Sequence, residues 1–187
     1  MKNKRVFFGI PVKVNLNTLI EMIQTTVDAP CGDIKWVYGK NLHLTLAFIG
    51  NIELDKIERL KEELKSVNFD QPFNAVLNYT GIFPTPKDPN VFWLGIDKGE
   101  DRFQSIVKKI REILLKLDLL IDTKEFIPHV TIGRIQNKKE AWKIDTNSYL
   151  NAVFSPTRFI VNSIHLYESI MTEKGVRYST IVSKSLQ

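Results

Sequence analysis

Two short segments of the chain repeat one pattern, a histidine and a threonine separated by one aliphatic residue. Residues 42–46 read LHLTL and residues 128–132 read PHVTI, which puts His129 86 residues after His43 (129 − 43 = 86). Successive side chains of a β-strand point to opposite faces. In each segment the histidine and the threonine therefore share one face, and the aliphatic residues on the other face enter a core.

Two imidazoles and two hydroxyls suit acid–base chemistry at phosphorus. Opening a cyclic phosphodiester requires a nucleophile to lose a proton and a leaving oxygen to gain one, and histidine titrates near neutral pH. The hydroxyls of Thr45 and Thr131 can donate to the non-bridging phosphate oxygens. We predict that His43 and His129 are an acid–base pair that needs no metal ion or cofactor. The alternative is a pair of ordinary half-buried strand histidines, which the repeated alternation disfavours.

Arg134 is the natural further phosphate anchor, because a guanidinium can bind two oxygens together. Strict alternation along the strand, however, puts Arg134 on the face of Val130 instead of the face of His129. A bulge or strand end at Gly133 would redirect the arginine. The alternative is an ion pair between Arg134 and a carboxylate at the surface.

The third histidine lacks the motif. His165 alternates with Ile164 and Leu166 and has no threonine two residues on, which predicts an exposed strand position without a catalytic role. Four aromatic residues are interpreted as strand packing: Trp36, Phe83, Phe92 and Trp93. An unpaired RNA base would find a stacking surface on one of them or on Phe48, and the sequence does not choose between them.

Helices and strands are predicted around the two segments. Apolar residues recur at helical spacing over Leu16–Val27, Leu54–Val67 and Phe103–Leu117. Apolar or alternating runs predict strands at Val6–Ile10, Ile34–Tyr38, Leu42–Ile49, Phe73–Tyr79, Val91–Ile96, His129–Ile135, Phe159–Tyr167 and Val176–Val182. Three prolines predict a loop over Gly81–Asn90. Residues 98–101 mark a turn into the third helix, and residues 141–150, in a polar stretch, are a candidate short helix.

Composition limits the class of protein. The 187 residues are 43% hydrophobic and 25% charged, which is typical of a globular chain. A net charge of +5 modestly favours an anionic partner. The single cysteine, Cys31, cannot form an internal disulfide, so a reducing cytoplasmic location is expected. With one cysteine and three histidines a structural zinc site is disfavoured, and no apolar stretch is long enough to cross a bilayer.

The two motifs and their flanks resemble a known family. Residues 41–50 read NLHLTLAFIG and residues 126–134 read FIPHVTIGR, which look like the twin signatures of the two-histidine phosphoesterase superfamily. Similarity to its bacterial and archaeal RNA 2',3'-cyclic phosphodiesterases, also called 2'-5' RNA ligases, extends over almost the whole chain. It includes RVFF at residues 5–8, Trp36, GIFP at residues 81–84 and LYES at residues 166–169.

The resemblance implies a bilobal α+β fold, with two pseudo-symmetric α/β halves whose antiparallel sheets flank a central cleft, in a single two-lobed domain over residues 1–187. It implies that His43 is the proton donor to the leaving 3' oxygen and that His129 is the proton acceptor that activates water, giving a 2'-phosphate end. Thr45, Thr131 and Arg134 would bind the phosphate. The implied substrates are RNA with 2',3'-cyclic phosphate ends or cyclic nucleotides.

Two other functions use the same residues. In reversible 2'-5' joining of RNA ends a 5'-hydroxyl takes the place of water, in the reverse geometry. In the other, the cleft belongs to a non-catalytic module that binds RNA ends or nucleotides, which would not require two titratable groups. We expect a monomer that does not associate with membranes.

Overall fold

The computed structural model describes residues 3–29, 34–120, 123–173 and 175–187, and all their side chains except those of residues 140 and 142. Cys31, on which the inference about location rests, lies outside the described residues. The helices and strands are β1 Asn3–Pro11, α1 Asn17–Gln24, β2 Ile34–Trp36, β3 His43–Glu53, α2 Leu54–Ser66, β4 Phe73–Thr85, β5 Asp88–Lys98, α3 Glu100–Lys116, β6 His129–Ile135, α4 Asn147–Leu150, β7 Thr157–Val161, β8 Ser163–Thr172 and β9 Gly175–Ser185.

The described strands form one antiparallel sheet with two halves. Its order is β7-β4-β5-β6-β3-β1-β8-β9, and β2 pairs with the end of β6. We call β2, β4, β5, β6 and β7 the His129 half, and β1, β3, β8 and β9 the His43 half. The halves join where Leu44 of β3 pairs with Val130 of β6. This arrangement agrees with the predicted α+β fold of two antiparallel halves.

The helices cover the sheet with their apolar stripes. All three predicted helices are present, with ends shifted by at most three residues. In α3 the apolar stripe of Phe103, Ile106 and Ile110 is buried, as expected for a surface helix with one core face. The helix begins after Gly99, whose φ of +98° suits glycine. One cluster of buried apolar side chains runs beneath both halves of the sheet.

The predicted loop at residues 81–90 is wrong. Strands β4 and β5 continue through this segment and pair almost to its tip, where Thr85 faces Asp88. The ladder tolerates the prolines because Pro84 and Pro89 pair with each other near the tip, next to a register shift.

The predicted strand Phe159–Tyr167 is two strands. It breaks at Asn162, and β7 pairs with β4 while β8 pairs with β1. The chain crosses from the His129 half to the His43 half at this residue, so two strands with different partners follow one another without a turn signal. In the polar stretch that follows β6, a 3₁₀ turn at Lys138–Lys143 and the single turn of α4 replace one short helix. No helix in the described part of the chain is long and apolar enough to span a membrane.

Candidate active site

The two motifs meet at the junction of the halves. Leu44 and Val130 are directly paired in antiparallel strands, and both are buried in the core. Their flanking residues point to the other face, the floor of a cleft. The antiparallel direction places His43 beside Thr131 and Thr45 beside His129. The repeated motif of the sequence is therefore a local two-fold arrangement around one residue pair.

The two imidazoles are held by the same hydrogen bond. Nδ1 of His43 lies 2.7 Å from the carbonyl oxygen of Asn41, and Nδ1 of His129 lies 2.7 Å from that of Ile127. A carbonyl oxygen only accepts, so Nδ1 carries the hydrogen in both rings. Each Nε2 is left for a substrate, and this backbone bond fixes the ring orientation from the residue two positions before the histidine.

Arg134 lies on the cleft side with the histidines. Opposite β5, Gly133 pairs with Phe92 and Thr131 pairs with Trp93, so β6 contains one extra residue between these pairs. This irregularity is a bulge of the kind that reverses the alternation. Because of the bulge, strict alternation no longer places Arg134 on the face of Val130. Arg134 borders the same cavity as His129 and Thr131.

A cavity of about 490 Å³ opens beside the motifs. Its polar lining includes Thr45, His129, Thr131 and Arg134, and its aromatic walls are Phe48, Phe83 and Phe126. Arg111 and Lys124 also border the cavity. The arrangement combines phosphate-binding groups with flat apolar walls, which suits a nucleotide.

Aromatic rings surround the two histidines unequally. The ring of His43 lies 5.0 Å from Phe7, 4.7 Å from Tyr178 and 6.1 Å from Tyr167. On the other side of the cleft, the ring of His129 lies 5.0 Å from Phe83 and 5.7 Å from Trp93.

Burial keeps both imidazoles neutral in the unbound protein. Desolvation lowers the pKa of His43 to about 4, with smaller contributions from the charges of Arg134 and His129. Desolvation also lowers the pKa of His129, and Arg134 adds to this effect. In both cases the hydrogen bond to the backbone raises the pKa and opposes the shift. An anionic phosphate beside Arg134 would reverse the electrostatic part and favour a protonated imidazole.

Within residues 3–29, 34–120, 123–173 and 175–187 there is no group of three His, Cys, Asp or Glu side chains placed to hold a metal ion. The polar groups that the structure does bring together are two imidazoles, two hydroxyls and a guanidinium. These groups can transfer protons and bind a phosphate.

Comparison with known proteins places the chain in a family. The family model of the 2'-5' RNA ligase superfamily matches residues 23–171. The chain belongs to that superfamily. Two curated relatives are named RNA 2',3'-cyclic phosphodiesterase. The one from Archaeoglobus fulgidus is 31% identical over 177 residues, covering 95% of this chain and 97% of the relative. The one from Aquifex aeolicus is 31% identical over 186 residues, covering 97% and 96%.

Solved structures share the fold of this superfamily member. E. coli LigT in complex with 3'-AMP superposes with a TM-score of 0.76 at 20% identity over 99% of each chain. A Thermus thermophilus protein gives 0.70 at 23% identity over 97% of each chain. These similarities confirm the predicted fold class, and the family match confirms the resemblance that the two motifs indicate.

Three rings pack around His43 that the sequence analysis does not assign to the site. Phe7, Tyr167 and Tyr178 were not singled out, although all three lie in or next to predicted strands. The signal that could have found Phe7 is the RVFF run. Phe83 and Trp93, interpreted as packing residues, also contact His129. Of the candidate residues for stacking on a base, Phe48 and Phe83 border the cavity.

His165 lies outside the phosphate-binding groups. It is half-buried, where an exposed position was predicted, because its ring stacks on Tyr167 at 5.3 Å. Its ring nitrogens lie 3.1 Å from the hydroxyl of Ser163 and 3.3 Å from that of Thr180. Both nitrogens thus have partners within the His43 half, away from His129 and Arg134.

Proposed function

We propose that the protein is an RNA 2',3'-cyclic phosphodiesterase that opens the cyclic phosphate to a 2'-phosphomonoester without a metal ion. The observation that carries the proposal is the antiparallel pairing of the two motifs, which turns both imidazoles into one cleft with Nε2 of each ring available. A function in binding alone would not require two titratable rings held in this way.

In the proposed reaction His129 takes a proton from water while the water oxygen attacks phosphorus. The bond from phosphorus to the 3' oxygen breaks, and His43 gives that oxygen its proton. The product has a 2'-phosphate and a 3'-hydroxyl. Thr45, Thr131 and Arg134 hold the non-bridging oxygens, where negative charge concentrates. Each positioned acid or base contributes roughly 10²–10⁴-fold to the rate.

The role of His43 as proton donor requires that substrate binding raises its pKa. The unbound ring has a pKa of about 4 and is neutral near pH 7. An anionic phosphate bound by Arg134 offsets the positive charge that disfavours protonation of both rings. His43 would therefore take up a proton on Nε2 when substrate binds. The two rings would titrate as a coupled pair.

The cavity supports a nucleotide or an RNA end as the ligand. Phe48 comes from the His43 half and is 52% exposed, and Phe83 faces the cavity from the other half. Two aromatic walls beside phosphate-binding groups are the arrangement that binds an unpaired base. Arg111, whose guanidinium donates to the carbonyl oxygen of Lys124 at 3.0 Å, adds positive charge at the cavity edge for the next phosphate of an RNA chain.

The test is turnover of adenosine 2',3'-cyclic phosphate and of an oligonucleotide with a 2',3'-cyclic end in excess chelator. We expect turnover to a 2'-phosphate, unaffected by the chelator and abolished in His43→Ala and in His129→Ala. His165→Ala is the matched control and should retain activity. Loss of turnover with the chelator would indicate a metal mechanism. Tight binding of the oligonucleotide with no turnover by the wild type would favour the binding module.

A 2'-5' RNA ligase activity is the second candidate, because the family model carries that name. In ligation a 5'-hydroxyl replaces water as the nucleophile: His129 would take its proton, the bond from phosphorus to the 3' oxygen breaks, and His43 would protonate that oxygen. In the reverse cleavage of the 2'-5' bond the two residues would exchange their proton-transfer roles. Joining of a 2',3'-cyclic end to a 5'-hydroxyl oligonucleotide at high RNA concentration would reveal it. A cytoplasmic location and a monomeric state belong to the same proposal, and fractionation and sedimentation would test them.

A further inference from the structure

We infer that Tyr178 is a third catalytic side chain, whose hydroxyl donates a hydrogen bond to the substrate phosphate on the His43 side of the cleft. The inference rests on the proposed function and deepens it. The family model ends at residue 171, so Tyr178 lies beyond the matched segment.

The position of Tyr178 in the sheet puts its ring against the proton donor. Tyr178 of β9 pairs with Ser169 of β8, in the His43 half. Its ring centroid lies 4.7 Å from that of His43 at 73°, the closest ring neighbour of this imidazole in the described structure. It also meets Phe7 edge-on at 5.1 Å. The phenol ring is therefore a direct neighbour of the imidazole that we propose as proton donor.

Charges from both halves act on the phenol. Burial raises the pKa of Tyr178, so the hydroxyl keeps its proton at neutral pH, while the nearby charges of Arg134 and Arg5 lower this pKa. Arg134 belongs to the opposite half and also lowers the pKa of His43. Arg134 borders the same cavity as Thr131, which lies beside His43, so the guanidinium that we assign to phosphate binding acts on the side of the cleft where the phenol and the imidazole meet. In the inferred contact a phosphate held by Arg134 accepts from the protonated phenol, and hydrogen bonds to anions are strong.

Asn41 connects His43 to the strand of Tyr178 through two hydrogen bonds. The carbonyl oxygen of Asn41 accepts from Nδ1 of His43, and the side-chain amide of Asn41 donates to the carbonyl oxygen of Val176 at 3.3 Å. Val176 lies two residues before Tyr178 on β9. One residue thus orients the ring of His43 and also contacts the strand that carries the phenol.

Tyr167 shows what a packing tyrosine looks like in the same cluster. It is buried, stacks on Phe7 at 5.2 Å and on His165 at 5.3 Å, and lies farther from His43, at 6.1 Å. Arg134 does not act on its pKa, which burial alone raises to about 12. Tyr167 and Tyr178 therefore form a matched pair for experiment.

The experiment compares Tyr178→Phe and Tyr167→Phe with the wild type on adenosine 2',3'-cyclic phosphate. Both variants keep the ring and its packing. We expect Tyr178→Phe to lower kcat/KM by about 10-fold to 100-fold, the size expected for a hydrogen bond to a charged group. Tyr167→Phe should stay within about twofold, since it removes no contact to phosphate. Thermal unfolding of both variants is the control: an unchanged midpoint would show that a loss of activity does not come from loss of folding.

A binding measurement separates this inference from the proposed function. Adenosine 2'-phosphate and unphosphorylated adenosine are titrated into the wild type and both variants by calorimetry. We expect Tyr178→Phe to weaken binding of the phosphate ester and to leave the affinity for adenosine unchanged. A wild type that binds the ester without turnover would end the proposed reaction and leave this phosphate contact testable. Equal kcat/KM, or equal affinity for the ester, in wild type and Tyr178→Phe would overturn the inference.

Discussion

The two histidine-bearing strands share their local geometry and differ in their access to solvent. His43 and His129 make the same Nδ1 bond to the backbone, at the same 2.7 Å. Three rings surround His43, whereas His129 borders the cavity of about 490 Å³. The pseudo-symmetry therefore supplies two similar chemical groups, and the surrounding residues make them unequal.

The difference in access bears on the proposed division of roles between the two rings. Attacking water must reach the general base, and the ring next to the open cavity is His129. The leaving 3' oxygen belongs to the bound substrate and needs a protonated group within hydrogen-bond reach. His43 is enclosed by aromatic rings and its pKa is lowered to about 4, so in the proposed role it would be protonated only after bound substrate supplies negative charge and raises this pKa. The assignment of His43 as proton donor and His129 as proton acceptor stays a prediction, which the choice of leaving group tests.

The largest expected effect separates the acid from the base by the choice of leaving group. On a 2',3'-cyclic nucleotide, His43→Ala and His129→Ala should each lower kcat by roughly 10²–10⁴-fold. On a 4-nitrophenyl phosphodiester the leaving oxygen departs without a proton. On this substrate His43→Ala should have a kcat close to that of the wild type, while His129→Ala should still have a much lower kcat. Steady-state kinetics with both substrates measure the difference.

Recovery in His129→Ala, with none in His43→Ala, would reverse the two roles. Equal losses on both substrates in both variants would show that neither ring acts mainly on the leaving group. The double variant should lose much less than the product of the two single losses, because the two rings act in one proton transfer sequence.

The second effect concerns stability in acid. The pKa of His43 falls from its ordinary value of 6.5 to about 4 on folding. Between these values the unfolded chain binds a proton that the folded protein does not, so folding stability falls as the pH drops from about 6.5 to 4. The linkage for this ring is about 3 kcal/mol. Denaturant unfolding from pH 7 to pH 4 should show a smaller loss of stability in His43→Gln than in the wild type by about this amount.

His129→Gln tests whether the two halves differ in this property. Burial also lowers the pKa of His129, so the substitution should change the pH dependence in the same direction. A pH dependence of unfolding in His43→Gln equal to that of the wild type would show that the ring of His43 is already hydrated in the folded protein.

The third effect compares the two threonines across the local two-fold arrangement. Thr45→Val and Thr131→Val keep the side-chain shape and remove the hydroxyl. Each should lower kcat/KM by about 10-fold or more, since hydrogen bonds to charged groups contribute about 1.5–3 kcal/mol. Equal losses would indicate that the phosphate sits symmetrically between the motifs. Thr180→Val, whose hydroxyl contacts His165, is the control and should leave kcat/KM unchanged. If neither motif variant loses activity, the threonines do not bind the phosphate.

Sequence reasoning predicted the parts of the site that follow from local alternation. The alternating pattern around His43 and His129 specifies which faces enter the core, and Leu44 and Val130 are buried as it requires. The three amphipathic helices follow from periodicity in the same way. The break at Asn162 could not be predicted, because β7 and β8 differ only in the distant strands that they pair with.

Contacts made by residues distant in sequence account for the rest of what was missed. Tyr178 meets His43 only because β9 closes the far edge of the His43 half, 135 residues along the chain (178 − 43 = 135). The direction of Arg134 depends on one extra residue in β6 opposite Phe92 and Trp93. Gly133 suggested a bulge without fixing its position, since a register shift depends on the partner strand as much as on the bulged one.

The smallest effect uses Arg134, which acts on both rings from one half. Its positive charge lowers the pKa of His43 and of His129. Arg134→Met removes this charge, which stabilises each protonated imidazole, so both pKa values should rise. Titration of the histidine Cε1–H signals by NMR measures the change. His165 is the internal control, because burial and Lys13, not Arg134, lower its pKa. A rise in the pKa of His129 alone would show that Arg134 acts only on the histidine of its own half. A phosphate bound to Arg134 would then be held from that half alone. A rise at both rings, with His165 unchanged, is the expected result, because a single guanidinium redirected by the β6 bulge then acts on both imidazoles.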